Sequence, residues 1–176
     1  MPEKHELPPD RWLRCPRYGQ RLECFLPFKT PLDFRYDPHI SEEYRFTPEM
    51  FVQKWRGNKV KLGLVIDLTN TERFYDKSFF EENDVKYIKH RLRGHNQAPT
   101  KEQTSLFVEL CHQFISHHPL HFIGVHCTHG FNRTGFLICA YLYEKLDWDI
   151  DAAVHAYANI RPPGIYKQDY REIFLK

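Results

Sequence analysis

The chain carries almost no surplus of charge: 25 Lys and Arg residues stand against 23 Asp and Glu, a formal net charge of +2 over 176 residues. A protein that gathers nucleic acid by bulk attraction to phosphate needs more, so any basic surface here has to be local. No apolar run approaches membrane-spanning length. No secretory h-region stands near Met1. The cysteines number five and form no disulfide framework, so a reducing intracellular compartment is expected. No internal repeat is visible. Cys111, His112, His117, His118 and His121 cluster, but no Cys-x2-Cys pair completes them as a zinc site, and a polar helix end is expected instead.

What is present suffices for one core. A hydrophobic content of 41% and an aromatic content of 15% separate the chain from disordered sequences, and the length fits one domain over residues 1–176. Residues 1–46 are rich in proline, arginine and aromatics with weak periodicity. They read as an irregular segment that wraps the domain, with a short strand near Cys24-Phe25-Leu26. Within it Lys29 and Arg35 are candidates to reach an anionic ligand or, alternatively, solvated surface charge. Thr47-Pro48 starts a helix, Thr47 as cap and Pro48 at the first position, running to Lys54 or Trp55.

The stretch 60–68 is a strand whose end carries Asp67, and 85–89 is another, followed by the basic run His90-Arg91-Leu92-Arg93-Gly94-His95. That run could face phosphates or simply charge an edge strand. Ligands of open α/β sheets bind beyond the carboxyl ends of strands, which makes Asp67 a site candidate beside its reading as a turn or helix cap. Pro99-Thr100-Lys101-Glu102 starts a helix with apolar spacing at Leu106, Phe107, Leu110 and Phe114. Further helices are expected to about Leu146, from Asp149 to Ile160, and from Lys167 to Phe174. Tyr166 and Lys167 read as pocket rim or helix-start anchor. The alternation predicts an α/β fold with a mostly parallel sheet and helices on both faces.

The chemistry concentrates at residues 122–138. Phe122-Ile123-Gly124-Val125 is a buried strand, and Phe136-Leu137-Ile138 opens a buried helix. Between them lies His126-Cys127-Thr128-His129-Gly130-Phe131-Asn132-Arg133-Thr134-Gly135. A strand–loop–helix of this kind aims backbone N–H groups and the positive helix end at one point, where an anion belongs. An arginine fork at the helix start holds two of its oxygens. The same field lowers the pKa of Cys127 and makes it a nucleophilic thiolate. Thr134 can donate to its sulfur, and Gly130 and Gly135 allow the tight turn and close approach of phosphate. Cys127, Arg133, Thr134 and Asp67 are the catalytic candidates; Thr128, His129, Gly130, Phe131, Asn132 and Arg133 are the phosphate-binding ones.

The His-Cys-x5-Arg-Thr-Gly pattern is that of the cysteine-dependent phosphatases. Together with Pro9-Asp10-Arg11-Trp12-Leu13, Phe28-Lys29-Thr30-Pro31-Leu32, Ile66-Asp67-Leu68-Thr69-Asn70-Thr71 and Arg161-Pro162-Pro163-Gly164-Ile165-Tyr166-Lys167, it resembles the RNA 5′-triphosphatase domain of metazoan mRNA capping enzymes. The resemblance covers Arg11 to about Phe174. It implies a cysteine-phosphatase fold and removal of the γ-phosphate from nascent 5′-triphosphate RNA through a cysteinyl-phosphate. It implies no metal cofactor, and no Glu-x-Glu pair of the metal-dependent triphosphatases stands at a suitable position. It also implies a nuclear location and, as partners, a C-terminal guanylyltransferase domain and the transcription machinery, with no membrane. The Lys-x-Asp-Gly nucleophile of guanylyltransferases is absent, so the chain is expected to be the amino-terminal part of a longer protein or to stand alone.

One departure discriminates substrates. Protein-phosphatase relatives carry an aspartic acid in the loop before the helix at Lys101, which protonates the leaving oxygen. Here that loop reads Arg93-Gly94-His95-Asn96-Gln97-Ala98-Pro99, with no acid. His95 is the other candidate proton donor, since unperturbed histidine titrates near roughly 6.5. The alternative is an atypical dual-specificity phosphatase acting on phosphoprotein or other RNA ends. A phospho-binding module without catalysis is a third class, which the intact Cys127–Arg133 pair argues against.

Overall fold

A computed structural model describes residues 7–174; the start of the wrapping segment, residues 1–6, lies outside them. Four strands form the sheet: β1 Phe25–Lys29, β2 Leu62–Asp67, β3 Lys86–Lys89 and β4 Phe122–Cys127. Their order is β1-β4-β2-β3 and every pairing is parallel. Helices α1 (Pro48–Gly57), α2 (Ser78–Glu82) and α3 (Lys101–His117) supply the crossovers, and α4 (Asn132–Leu146), α5 (Ile150–Ile160) and α6 (Gln168–Phe174) follow β4.

The period-2 alternation of the strands sorts the core into two layers. Phe25, Leu64, Ile66, Ile123 and Val125 pack with residues of α3, α4, α5 and α6. Leu26, Phe28 and Val65 face the other way, against Phe51, Val52 and Trp55 of α1 and Phe80 of α2. Helix α4 lies between sheet, α3 and α5, and residues 134–142 along it are all buried, which is why its sequence is apolar all round.

Caps set the boundaries. Thr47 Oγ1 accepts from Met50 N and Pro48 is the first helical residue of α1, but the helix runs beyond Trp55 to Gly57. Thr100 and Gln103 form a reciprocal capping box at α3, a device that stabilises a helix start by about 1 kcal/mol. The five-residue α2 is absent from the sequence-based expectation because it is too short to show a period. Asp76 nucleates it, its Oδ1 accepting from Ser78 N.

Strand β1 is a sheet edge, and it contains Pro27, which an edge tolerates. The edge is closed by the preceding segment: Gly19 N donates to Pro27 O and Lys29 N to Arg17 O. Among the described residues no helix is long and apolar enough to cross a membrane.

Candidate active site

Strand β4 delivers the site. Its pleat sends His126 toward the α1/α2 layer, where its ring meets Phe28 and Tyr75, and Cys127 toward α4. The loop then folds back over the sulfur. Gly130 N donates to Cys127 Sγ at 3.3 Å and Thr134 Oγ1 at 3.1 Å. Gly130 has φ 81°, and a Cβ there would come within 2.6 Å of the Phe28 carbonyl oxygen, so the turn requires glycine on both counts. Gly135 has a different reason from the expected approach of phosphate. A Cβ on it would fall 2.4 Å from the Tyr157 ring, so its absence lets α4 and α5 pack.

Arg133 starts α4 and turns over the loop. Its Nη1 donates to Leu92 O at 3.2 Å and its Nη2 to Thr128 Oγ1 at 3.1 Å. Two opposing effects act on Cys127. Complete burial pushes the thiol up, but the Arg133 guanidinium, the Thr134 hydroxyl and amide and the Gly130 amide outweigh it and hold the pKa below the ordinary thiol value. The other four cysteines go the opposite way: burial raises Cys15 and Cys111 and brings Cys24 and Cys139 to about 12. The thiolate is therefore favoured at Cys127 and disfavoured at the other four positions, and the loop makes the difference.

The loop side chains mostly face away from the cradle they build. His129 Nε2 bonds the Asp10 carbonyl at 2.7 Å, and Asn132 Oδ1 accepts from the amides of both Tyr166 and Lys167 at 3.0 Å. Phe131 rests under the Arg161 guanidinium, 4.7 Å from its ring centre. Any phosphate contact from these positions is thus a backbone contact. Two residues that sequence reasoning passed over pin the loop from behind. Tyr157 Oη donates to Gly130 O at 2.8 Å. Arg161, 1% exposed, donates to Gly130 O, His129 O and Pro16 O. With those carbonyls fixed outward, the peptide planes of the loop turn their N–H groups inward. In the sequence Arg161 stood only as the first residue of the Arg161–Lys167 motif, with no role assigned to it.

Asp67 sits at the end of β2, paired in register with His126, and its carboxylate is fully engaged. Oδ1 accepts from Thr69 N and Oγ1, and Oδ2 from Tyr87 Oη at 2.6 Å and Lys89 Nζ at 3.0 Å. Burial would raise its pKa, but His126 when protonated at acid pH, the Lys89 ammonium and the donated hydrogen bonds prevail and the value is lowered. His126, lowered chiefly by burial, is neutral. Its Nδ1 bonds the Cys127 carbonyl at 3.1 Å, so Nδ1 carries the proton and Nε2 accepts from Tyr75 Oη at 2.6 Å. The 3.6 Å approach of Nε2 to Asp67 Oδ1 is therefore not an ion pair.

This network orders the strand ends beneath the loop; an ionised, saturated carboxylate has no proton to give. Asp67→Asn is expected to lower kcat about tenfold, short of the 10²–10⁴ that marks loss of a general acid. It should also destabilise the fold by about 2–4 kcal/mol through the uncompensated Lys89. The wild-type contribution is complete above the unfolded carboxylate value near 3.9 and is lost as pH falls through the lower folded value. Kinetics and urea unfolding at pH 7 and pH 3 check this; a thousandfold rate loss would give Asp67 back the donor role.

Other candidates divide. Lys29 is 2% exposed and donates to Trp12 O and Cys15 O, with Nζ 3.6 Å from the Trp12 ring centre; burial lowers it to about 8. It fastens the wrapping segment and is neither ligand-facing nor solvated. Arg35 is taken by Asp33 and the Arg73 carbonyl. The basic run does not present one face: His90 Nε2 bonds Gln103 O, Arg91 pairs with Glu72, and Gly94 underlies the Arg133 guanidinium. Exposed His95 offers its carbonyl to Lys167 Nζ, so Lys167 stands at the rim. Arg11 is brought there too, in a left-handed conformation with φ 66°, which costs a non-glycine residue about 1–2 kcal/mol. In the histidine-rich helix end, Cys111 is buried in the core and the His118 and His121 rings stack.

Comparison with known proteins agrees with this geometry. Residues 50–172 match the dual specificity phosphatase catalytic domain. The chain is 56% identical over 170 residues to the mRNA-capping enzyme of Danio rerio, covering 96% of this chain and 28% of that protein. It is 32% identical over 170 residues to the RNA/RNP complex-1-interacting phosphatase homolog of Caenorhabditis elegans, covering 93% of this chain and 73% of that one. The crystal structure of PTPMT1 in complex with PI(5)P superposes with a TM-score of 0.68 at 17% identity, over 90% of this chain and 92% of that one. The chain thus spans less than a third of the length of the capping enzyme it matches.

Proposed function

Because the chain belongs to the dual specificity phosphatase catalytic-domain family, we propose that its cysteine loop works as an RNA 5′-triphosphatase. The Cys127 thiolate attacks the γ-phosphorus in line, the bond to the β–γ bridging oxygen breaks, and the diphosphate-ended RNA leaves. Water then attacks the cysteinyl-phosphate, the S–P bond breaks, and inorganic phosphate departs. Arg133 and the loop amides meet the charge on the equatorial oxygens in both steps, and the Thr134 hydroxyl stabilises the returning thiolate. The fixed cationic cradle supplies the charge compensation, and the proposed reaction needs no metal cofactor.

The observation that carries this reading is the leaving-group problem. The loop over Arg93–Pro99 holds no acid, and the Asp67 carboxylate is ionised and saturated. A tyrosine leaving oxygen has a pKa near about 10 and departs poorly without a proton, whereas a terminal phosphate has a second pKa near about 6. Anhydride substrates therefore suit this site and phosphoproteins do not. The similarity to mRNA-capping enzymes supports an RNA end as the carrier of that anhydride. On this reading the reaction takes place in the nucleus, where transcripts arise, and a guanylyltransferase domain of a longer protein, working with the transcription machinery, consumes the diphosphate end.

The expected result is a preference of at least about 10³ in kcat/KM for γ-labelled triphosphate RNA over a phosphotyrosine peptide, roughly 4 kcal/mol of transition-state discrimination. Efficient hydrolysis of the peptide would move the function to the dual-specificity phosphoprotein alternative.

A further inference from the structure

The rim of the loop collects more cation than one phosphate calls for. Arg133 already serves the phosphate in the loop. Lys167 stands beside it, held by its own amide on Asn132 Oδ1, the residue before Arg133, and its ammonium reaches across to the His95 carbonyl. Arg11 comes from the opposite end of the chain. Its neighbours are anchored on both sides: the Asp10 carbonyl bonds His129 Nε2 at 2.7 Å, and fully buried Trp12 donates to Thr30 O at 2.8 Å. Between these anchors Arg11 is held in the left-handed conformation and exposed. Among the described residues its guanidinium makes no hydrogen bond or ion pair.

These cations feel one another. Burial, then Arg133 and Arg11, lower the pKa of Lys167. Burial, offset in part by the Asp10 carbonyl, and then Arg11, Arg133 and Lys167 lower that of His129. Like charges converge on one opening from three chain segments, 10–12, 131–133 and 166–167. A strained backbone kept at such a place, with a cation that has no partner among the described residues, points to a ligand that supplies the missing negative charge. Cys127 and its amides accept one phosphoryl group. The excess at the rim lies where a phosphate chain leaving that cradle has to pass.

We propose that Arg11 and Lys167 form an outer anion site that grips the β- and α-phosphates of a polyphosphate chain while the Cys127 loop holds the γ-phosphate. The proposal rests on the triphosphatase reading and names the residues that distinguish a triphosphate end from a lone phosphate. Arg11 approaches as a planar fork and Lys167 as a point charge, so the two can serve adjacent phosphates without competing for one oxygen pair.

The test uses Arg11→Asn, which tolerates the left-handed backbone, Lys167→Met, which keeps the stem, and the double variant, each checked for an unchanged thermal midpoint. Hydrolysis of p-nitrophenyl phosphate is inhibited with inorganic tripolyphosphate and, separately, with orthophosphate. The expected result is a rise of at least about tenfold in the tripolyphosphate inhibition constant of the double variant, with the orthophosphate constant within about threefold of wild type, each tenfold step corresponding to about 1.4 kcal/mol. In parallel, the kcat/KM ratio of triphosphate RNA to p-nitrophenyl phosphate should fall by a similar factor. Equal changes for both inhibitors, or none, would overturn the outer site. The inhibitor comparison needs no RNA turnover, so it judges the outer site alone. Failure of the wild type to release γ-phosphate from RNA counts against the triphosphatase reading instead.

Discussion

Replacing Cys127 by serine is expected to remove turnover to below about one per cent of wild type, a loss of more than about 10², or 2.7 kcal/mol of transition-state stabilisation. The loop is built to hold an anion at the sulfur: Arg133, Thr134 and the Gly130 amide together overcome the burial that would keep the thiol protonated. A serine hydroxyl has no accessible anionic form, so the same cradle gives it little advantage. The amides and Arg133 are untouched by the change, so binding of a triphosphate end should persist. Alkylation reports the ionisation directly. The inactivation rate of the wild type with iodoacetamide should reach its plateau below pH 9.0, the ordinary thiol value. Orthophosphate should protect. Residual steady-state activity of the serine variant above a per cent or so would sink covalent catalysis by this residue, as would an alkylation midpoint at or above the ordinary value.

Arg133→Lys is expected to fail almost as badly as Arg133→Ala, both losing on the order of 10²–10³ in kcat/KM, the range that follows removal of one oxyanion donor. The guanidinium is braced at both ends, by the Leu92 carbonyl and the Thr128 hydroxyl. That leaves its plane fixed, with N–H groups free for two phosphate oxygens. It also lies flat against Gly94, where a Cβ would come within 2.7 Å of its Cζ. An ammonium cannot keep both braces and a bidentate grip, so conserving the charge conserves little else. Near-normal turnover of the lysine variant, with phosphate inhibition unchanged, would show that charge alone suffices at this position.

Much of this was legible along the chain. The stretch 122–138 announces strand, loop and helix by a switch from an apolar run to a polar loop to a second apolar run, and the Cys127–Arg133 spacing needs no tertiary knowledge. Thr47-Pro48 and Thr100 mark helix starts because a cap is a contact between residues three apart. All four strands were visible, though Lys29 at the end of β1 was read as reaching an anionic ligand or as solvated surface charge. A lysine looks the same in sequence whether water or two carbonyl oxygens surround its ammonium. Only the fold, by laying Trp12 and Cys15 over the end of β1, made the second case true.

The sequence by itself determined the chemistry and the class of architecture, because both reside in contiguous residues: a thiol, a glycine turn and an arginine at a helix start. What holds that chemistry in shape was decided by tertiary structure. The loop carbonyls are pinned by Tyr157 and Arg161, 27 and 31 positions or more away in the chain. The acid–base state of Asp67 depends on Tyr87 and Lys89 of β3 and His126 of β4, which arrive from two other strands. The rim cation Arg11 is brought to the site from more than a hundred residues away by the hydrogen bond between His129 and Asp10. Each of these is an interaction between groups that no periodicity connects. Their energies depend on burial and on the distance between charges, and neither exists until the chain has folded.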